Sequence, residues 1–229
     1  MSDKISIAID GPAGAGKSTI AKKVAGTLGF TYIDTGAMYR TMAYYCLREG
    51  ISPDDEDAVS SVCDKIEVSL KYVEGVQHVL LNGEDVSGLI RTAEVGAAAS
   101  KISVYPAVRN SLLDLQRNMA KTENVVMDGR DIGSVVLPDA PVKIFLTASV
   151  EERARRRYNE YVLAGQECDI EKIKKEIEER DHRDMTRETA PLVCAEGATV
   201  LDSSNMTIDE VCEAVIGLVK EAGCGDFDI

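Results

Sequence analysis

The sequence predicts an α/β fold in which a parallel sheet is covered by helices on both faces. Short β-branched runs alternate with helix-like segments of ten or more residues, which is the pattern of consecutive βαβ units. A glycine-rich stretch follows the first run, and one hairpin-like region interrupts the alternation. The chain has 229 residues, 45% apolar and 28% charged, which is enough for one sizeable core and a small second lobe.

The elements of this alternation follow one another along the chain. Each predicted strand is a short apolar run, and strands are expected at 5–9, 30–33, 125–127, 142–146 and 199–201. Helical patterns occupy the stretches between and after them, at 18–28, 37–49, 104–120, 150–164, 170–187 and 208–222. In such folds, ligands bind beyond the carboxyl ends of the parallel strands, so residues that follow the strands are the first candidates for function.

Residues 65–81 break the alternation with the pattern of a β-hairpin. Two strands are expected at 67–72 and 77–81, joined by Glu74-Gly75, and Asn82-Gly83 marks a second tight turn. A hairpin inside an α/β chain indicates an inserted subdomain, here at about 60–100. The remaining residues, 1–59 and 101–229, are then expected to form the core domain.

Composition and charge argue against several classes of function. The formal net charge is −13, so the surface repels nucleic-acid phosphates and anionic lipid, and a bound phosphate needs a local positive pocket. The six cysteines include no C-x-x-C pair, which favours reduced thiols in or near the core over disulfides or zinc. The apolar runs are too short for a signal peptide or a membrane span. We expect a cytoplasmic protein.

The glycine-rich stretch at 11–18 fits the P-loop pattern G-x-x-x-x-G-K-[ST]. Glycines bring backbone N–H groups close to phosphate oxygens, where a Cβ would clash. Lys17 is expected to bridge the β- and γ-phosphates, and Ser18 to ligate Mg²⁺. The alternative, a plain glycine-rich turn, is disfavoured because the stretch follows a predicted strand and opens a predicted helix. The residues expected to bind ATP are Gly11, Pro12, Ala13, Gly14, Ala15, Gly16, Lys17, Ser18 and Thr19.

A second group of polar residues lies where the strand at 30–33 ends. The segment DTGAMYR, residues 34–40, places a carboxylate, a hydroxyl, small residues and a guanidinium at a strand-to-helix junction. Such a site suits a small polar acceptor, with Arg40 reaching a phosphate. The alternative is a capped helix start with Asp34 or Thr35 as the N-cap. The residues alone leave both interpretations open.

A third group follows the strand at 125–127. Asp128 ends this apolar strand, where a second Mg²⁺ contact, often through water, is expected. Arg130 and Asp131 follow in a glycine-bounded loop at the carboxyl end of the strand. The alternative is a polar turn with an internal pair between Arg130 and Asp131, but the loop is expected to border the phosphate site, which favours function.

A basic helical face lies at residues 180–187, RDHRDMTR. Positions 180, 183, 184 and 187 share one face at helical spacing, and three of them are arginines. One interpretation is a solvated face with an Arg180–Asp184 pair, worth about 0.3–0.5 kcal/mol. The other, which the P-loop favours, is a lid at about 165–190 whose guanidiniums close over a transferring phosphoryl group.

A second basic run, ERARRRY at 152–158, is too short for nucleic-acid binding in so acidic a chain. We expect its arginines, at positions 153, 155, 156 and 157, to serve mainly as hinge and surface charge. The alternative is that one of them faces the donor nucleotide.

Together these motifs resemble the bacterial cytidylate kinase family of nucleoside monophosphate kinases. The resemblance covers nearly the whole chain through GPAGAGKST, DTGAMYR, PAVRNSLLDLQR, DGRDIG, PDAPVKIFLTAS and RDHRDMTRETAPL. It implies a P-loop NTPase-type parallel five-stranded sheet flanked by helices, an inserted small α+β CMP-binding subdomain and a helical lid. It also implies ATP with Mg²⁺, and CMP and dCMP as acceptors. From the sequence itself we expect a monomer, because nothing suggests an obligate interface, and neither nucleic-acid nor membrane partners.

The resemblance also assigns roles to residues of this sequence. Asp34, Thr35 and Arg40 would contact CMP, and Asp131 its sugar. Arg109 and Arg130 would contact the acceptor phosphate or the closed site, and Arg180 and Arg187 would be lid arginines that also reach CMP. The implied catalytic residues are Lys17, Arg130, Arg180 and Arg187, and the implied metal ligands are Ser18 and Asp128.

Two other functions remain open at the level of sequence. One is a kinase of the same architecture with another acceptor, such as UMP, AMP or shikimate. The other is a P-loop switch that signals through its nucleotide state, although the chain has no guanine-selecting N-K-x-D segment. Dependence of ADP release on an acceptor separates the kinases from the switch.

Overall fold

The computed structural model describes residues 4–74 and 76–224. In chain order, its strands are β1 (Ser6–Asp10), β2 (Thr31–Asp34), β3 (Val68–Val73), β4 (Val76–Leu81), β5 (Glu84–Asp85), β6 (Val125–Gly129), β7 (Val142–Thr147) and β8 (Thr199–Asp202). In this part of the chain, one sheet has five strands in the order β2-β6-β1-β7-β8. The expected five-stranded parallel sheet is therefore confirmed.

The helices are α1 (Lys17–Leu28), α2 (Thr35–Arg48), α3 (Glu56–Ser60), α4 (Ala93–Ile102), α5 (Pro106–Thr122), α6 (Val150–Leu163), α7 (Ile170–Thr186) and α8 (Ile208–Glu221). All six predicted helices are present within two residues of their predicted ends. Helices α3 and α4 and the π-helical turn at Ile132–Val136 were not predicted from the sequence. Helix α5 begins at Pro106 because proline suits the first helical turn, where its missing N–H leaves no bond unmade.

Strand β1 lies at the centre of the five-stranded sheet, and all of its residues are buried. It pairs in parallel with β6 on one side and with β7 on the other. Ile9 is opposite Asp128, and Asp10 is opposite Gly129. The P-loop after β1 and the loop after β6 therefore start side by side at the carboxyl edge of the sheet.

The larger of two compact units contains residues 1–32 and 123–229, of which 4–32 and 123–224 are described. Helices α1 and α8 cover one side of its sheet. The core there is built from β-branched and aliphatic side chains, including Ile7, Ile9, Ile20, Val24, Ile144, Leu146, Val211 and Val215. Helices α6 and α7 pack on each other around Ala154, Ile173 and Ile177.

The smaller unit contains residues 33–122. The predicted hairpin is confirmed, because β3 and β4 pair antiparallel from Val68 opposite Leu81 to Val73 opposite Val76. Asn82 and Gly83 have φ of 50° and 84°, which forms the second predicted turn and adds β5 to this sheet. Gly75, part of the first predicted turn, lies outside the described residues.

The division of the chain at residues 33 and 122 groups helices α2 and α5 with the hairpin. The predicted insert at 60–100 lies within this smaller unit. Its boundaries, with 1–59 and 101–229 as the core, remain a proposal about which segment carries acceptor specificity. Within residues 4–74 and 76–224, none of the helices combines the length and the apolar character needed to cross a membrane.

Candidate active site

The P-loop connects buried strand β1 to the first turn of α1. Gly14 and Gly16 have φ of 77° and 88°, in the left-handed region that glycine enters without a Cβ penalty. Gly11 has φ of 148°, and a Cβ built on it would lie 1.9 Å from the carbonyl oxygen of Leu146 in β7. The first glycine of the pattern is therefore required by the sheet behind the loop.

Cationic side chains bind the backbone carbonyls of the P-loop. Arg153 Nη1 donates to Ala13 O (3.0 Å), and Arg156 Nη1 donates to Ala15 O (3.4 Å). Lys17 Nζ donates to Pro12 O at 2.7 Å. Successive amides in such a loop form a concave anion-binding nest. Fixing the carbonyl oxygens therefore helps to keep the amides oriented toward a phosphate.

Lys17 is buried, with 6% of its surface exposed. Burial, assisted by the charges of Arg130 and Arg180, holds the pKa of Lys17 well below its ordinary value, against the opposing charges of Asp128 and Asp10. An ammonium in this position is stabilised by added negative charge. The electrostatics of the site thus favour a polyphosphate next to Lys17.

Ser18 and Asp128, the two residues predicted to hold a metal, lie in hydrogen-bond contact. Ser18 Oγ donates to Asp128 Oδ2 at 2.8 Å, and Tyr32 Oη donates to Asp128 Oδ1 at 2.9 Å. A hydroxyl and a carboxylate are hard oxygen ligands of the kind that Mg²⁺ takes from proteins. Within the described ranges, no group of three or more His, Cys, Asp or Glu residues could hold a metal ion.

Ion pairs join the loop after β6 to the end of α7. Arg130 Nε lies 2.8 Å from Asp184 Oδ2, and Arg187 Nη2 lies 3.6 Å from Asp131 Oδ1. Burial tends to raise the pKa of Asp184, but Arg130 and the other nearby arginines outweigh it and lower that pKa below its ordinary value. The loop and the helix end therefore gather guanidiniums around buried carboxylates.

Arg180 belongs to the same cluster, since its charge acts on both Lys17 and Asp184. The structure thus brings Lys17, Ser18, Asp128, Arg130, Asp131, Arg180 and Arg187 together in the larger unit. The loop after β6 interacts with α7 and is not merely a self-contained polar turn. Arg183, on the face considered for the lid, is exposed.

Asp10, the last residue of β1, is a site residue that the sequence analysis missed. Its two carboxylate oxygens accept hydrogen bonds from the backbone amides of Ile132 (2.8 Å) and Gly133 (2.7 Å). Burial raises the pKa of Asp10 to about 6, although these two amides act in the opposite direction. Asp10 therefore fixes the loop that carries Arg130 and Asp131.

Asp10→Asn is expected to make the loss of stability between pH 6 and pH 4 steeper. The pKa of Asp10 is about 6 in the folded protein and 3.8 for an ordinary Asp, so the folded state takes up this proton first as the pH falls. That uptake offsets up to about 3 kcal/mol of acid destabilisation from other carboxyl groups. The stabilising effect is complete below about pH 4 and is lost as the pH rises through 6.

Urea unfolding at four pH values between 4 and 7 measures this difference. Asp139→Asn, which changes an exposed carboxyl, is the matched control and is expected to parallel the wild type. Parallel pH profiles for the wild type and Asp10→Asn contradict the prediction.

The four predicted acceptor residues outside this cluster lie in the smaller unit. Asp34 is the N-cap of α2 and accepts a hydrogen bond from Ala37 N at 2.9 Å, so the capped helix start is confirmed. Thr35 is buried next to it. Arg40 Nη1 donates to Ile90 O at 3.2 Å, and Arg109 Nη1 donates to Ser103 O at 3.3 Å. Their contact with an acceptor remains a prediction.

The interpretation of the second basic run as surface charge is wrong for Arg153. This side chain is 5% exposed, whereas that of Arg155 is 63% exposed. Arg156 is half-buried and also donates to Ser203 O at 2.7 Å. Helical spacing distinguishes the more buried arginines from the exposed Arg155, because residues 153 and 156 are three apart and therefore share one face of α6.

Comparison with known proteins places these features in a family context. A family model described as cytidylate kinase matches residues 7–221. A cytidylate kinase from Geobacillus sp. strain WCH70 is 49% identical over 96% of this chain and 99% of its own length. A cytidylate kinase from Caldanaerobacter subterraneus is 51% identical over 97% of this chain and 98% of its own length.

Solved structures with a similar fold are more distant. An uncharacterized protein from Eubacterium ventriosum has a TM-score of 0.54 at 13% identity, covering 95% of this chain and 99% of that one. A shikimate kinase from Acinetobacter baumannii in complex with shikimate has a TM-score of 0.46 at 14% identity, covering 95% and 94%. At these identities the likeness concerns the fold alone.

Proposed function

The chain belongs to the cytidylate kinase family, and on that premise we propose that it transfers the γ-phosphoryl group of ATP to CMP or dCMP. The products are ADP with CDP or dCDP. The observation that carries the proposal is the cluster of Arg130, Arg180 and Arg187 in the same unit as Lys17 of the P-loop. Relatives named cytidylate kinase, which are about 50% identical to this chain over nearly their whole length, support it.

The donor side is proposed to be the P-loop and its immediate neighbours. Backbone N–H groups within residues 11–19, where Pro12 has none, bind the phosphates of ATP, and Lys17 neutralises charge on the β- and γ-phosphates. Ser18 and Asp128 would hold Mg²⁺, which when bound neutralises charge on the donor phosphates. The positive end of α1 points at the same anion.

The acceptor is proposed to need no strong general base. The second pKa of a phosphate monoester is about 6, so the CMP phosphate is largely ionised near pH 7 and already nucleophilic. Catalysis then depends on in-line alignment and on neutralising charge in the transition state. Lys17, Arg130, Arg180 and Arg187 supply that positive charge.

Recognition of CMP is proposed to involve both a sugar contact and a phosphate contact. Asp131 would bind the sugar, Arg40 and Arg109 the acceptor phosphate, and Asp34 and Thr35 the rest of the nucleotide. Arg130, Arg180 and Arg187 would also reach CMP, and the lid at about 165–190 would exclude water that would otherwise hydrolyse ATP.

The setting of the reaction is part of the proposal. We expect the protein to act in the cytoplasm, where ATP and CMP are available, and as a monomer. Its net charge of −13 disfavours nucleic acid as a partner.

A panel of acceptors tests the proposed reaction. ADP release with CMP, dCMP, UMP, AMP, shikimate or no acceptor is measured in a coupled assay. We expect the highest kcat/KM with CMP and a value at least about tenfold lower with UMP, because a site built for one set of base hydrogen bonds leaves groups unpaired with another. A faster reaction with another acceptor supports the same-architecture alternative, and slow hydrolysis independent of acceptors supports the switch.

A further inference from the structure

Arg153 connects three segments of the larger unit that are far apart in the sequence. Its Nη1 donates to Ala13 O in the P-loop (3.0 Å), and its Nε donates to Ala148 O after β7 (2.9 Å). Its Nη2 lies 2.6 Å from Asp181 Oδ2 on α7. One buried guanidinium thus links the P-loop to the helix that carries Arg180.

The contact between α6 and the P-loop is close at the level of the backbone. A Cβ built on Gly14 would lie 3.4 Å from Arg153 Cβ and 3.7 Å from Arg153 O. These are ordinary van der Waals distances, so the loop rests on the first turn of α6, and glycine is required at position 14 by its φ of 77° rather than by this contact. A shift of the loop at Ala13 or Gly14 is transmitted directly to Arg153.

The Arg153–Asp181 pair is poorly explained as a device for stability. The two side chains are 5% and 12% exposed, and removing ions from water offsets much of their attraction. Asp181 Oδ1 is buried and has no hydrogen-bond partner among the described residues, so the carboxylate is only half satisfied. A buried acceptor without a partner destabilises the folded state, so stability alone does not account for this carboxylate.

Asp181 directly follows Arg180, which acts on Lys17. The contact between Asp181 and Arg153 fixes this part of α7 and therefore also fixes where the neighbouring Arg180 lies. A displacement of about 1 Å at a reacting centre can lower a rate by about 10²-fold. The Arg153–Asp181 contact acts on the position of Arg180, a residue for which such a displacement would matter.

We propose that Arg153 and Asp181 are positioning residues that couple the P-loop to α7, so that a nucleotide-filled P-loop holds Arg180 in its working position. This inference rests on the phosphoryl transfer proposed above. Neither residue needs to touch substrate. Arg153 acts through Ala13 O, and Asp181 acts through its neighbour Arg180.

The kinetic test is a double-mutant cycle with Arg153→Lys and Asp181→Asn. Asp181→Asn keeps the size of the side chain and is expected to lower kcat about 10–100-fold while changing the dissociation constant for ATP less than about twofold. Arg153→Lys keeps the charge but loses the fork of donors that reaches Ala13, Ala148 and Asp181 at once. The kcat of the double variant is expected to match that of the more impaired single variant, because each single substitution already breaks the same link.

The matched control is an ion pair on α6 that does not reach the P-loop. Arg157 Nη1 lies 3.5 Å from Glu160 Oε2, and both side chains are at least half exposed. Arg157→Lys with Glu160→Gln is expected to leave kcat unchanged. Thermal unfolding is measured for every variant, and a lowered midpoint with unchanged kcat in Asp181→Asn means a purely structural pair and overturns the proposal.

Hydrogen exchange tests the link without turnover. ATP is expected to slow amide exchange in Ile170–Thr186 of the wild type, and Asp181→Asn is expected to abolish that effect while residues 13–16 stay protected. Equal protection of α7 in the wild type and the variant overturns the coupling. If the wild type makes no CDP from CMP, the proposed function is contradicted instead. The hydrogen-exchange result then still decides whether Arg153 and Asp181 couple the P-loop to α7.

Discussion

Replacing Arg187 by alanine is expected to lower kcat for CMP phosphorylation about 10³-fold, the lower end of the range for arginine fingers. The guanidinium is only 7% exposed, and its Nε donates to Ala190 O at 2.7 Å. Ala190 has φ of 48°, a strained conformation for a residue other than glycine, which is retained where its carbonyl positions Arg187. Alanine removes the positive charge and leaves Asp131 without this nearby cation.

The dissociation constant for ATP is expected to change less than about threefold, because Arg187 acts on charge that develops in the transition state. Steady-state kinetics and calorimetry measure the two quantities separately. Arg183→Ala is the control, since Arg183 lies one helical turn earlier and is exposed, and its kcat is expected to stay near the wild-type value. Unchanged turnover in Arg187→Ala defeats the assignment of this residue to the lid.

The parts of the site that the sequence predicted well are those in which the chemistry lies within one short segment. The P-loop pattern specifies the turn, the helix start and the lysine together, and Ser18 and Asp128 meet as expected at 2.8 Å. Asp128 could be placed because it ends a strand, and parallel strands bring their carboxyl ends to one edge. Local pattern and sheet topology were sufficient for these residues.

The missed residues act through partners that are distant in sequence. Asp10 binds an amide 122 positions away, Tyr32 binds a carboxylate 96 positions away, and Arg153 binds a carbonyl 140 positions away. Each is a polar side chain in a strand or a helix, at a position where the sequence alone does not show whether it faces solvent. Only the packing of the sheet against its loops determines which polar side chains are buried.

Helix α4 was missed for a different reason. Its sequence contains Gly96 and a run of alanines, so few large apolar side chains mark its buried face, although Thr92 caps it by accepting a hydrogen bond from Val95 N. Val95 and Ile102 are buried in the core of the smaller unit. These two residues share one face of α4 with two buried alanines at helical spacing, so the helix is amphipathic, but alanine gives only a weak apolar signal in a sequence.

Gly11→Ala is expected to abolish measurable ATP binding and to lower the free energy of unfolding by about 3 kcal/mol. The new Cβ would lie 1.9 Å from Leu146 O and 3.0 Å from Leu146 C, both backbone atoms of a buried strand. The residue also has φ of 148°, which L side chains rarely adopt. Because β7 cannot shift without breaking its pairing with β1, the P-loop itself must move. Its amide N–H groups then no longer converge on one anion.

Gly29→Ala separates this clash from the cost of a positive φ. Gly29 has φ of 68° at the end of α1, and a Cβ there would meet no atom within 4 Å among those of the described chain. It is expected to cost about 1 kcal/mol of stability and to leave ATP binding intact. Urea unfolding and calorimetry with ATP compare the two variants. If Gly11→Ala loses no more stability than Gly29→Ala and still binds ATP, then close approach of the loop to β7 is not what fixes the position of the phosphate-binding amides.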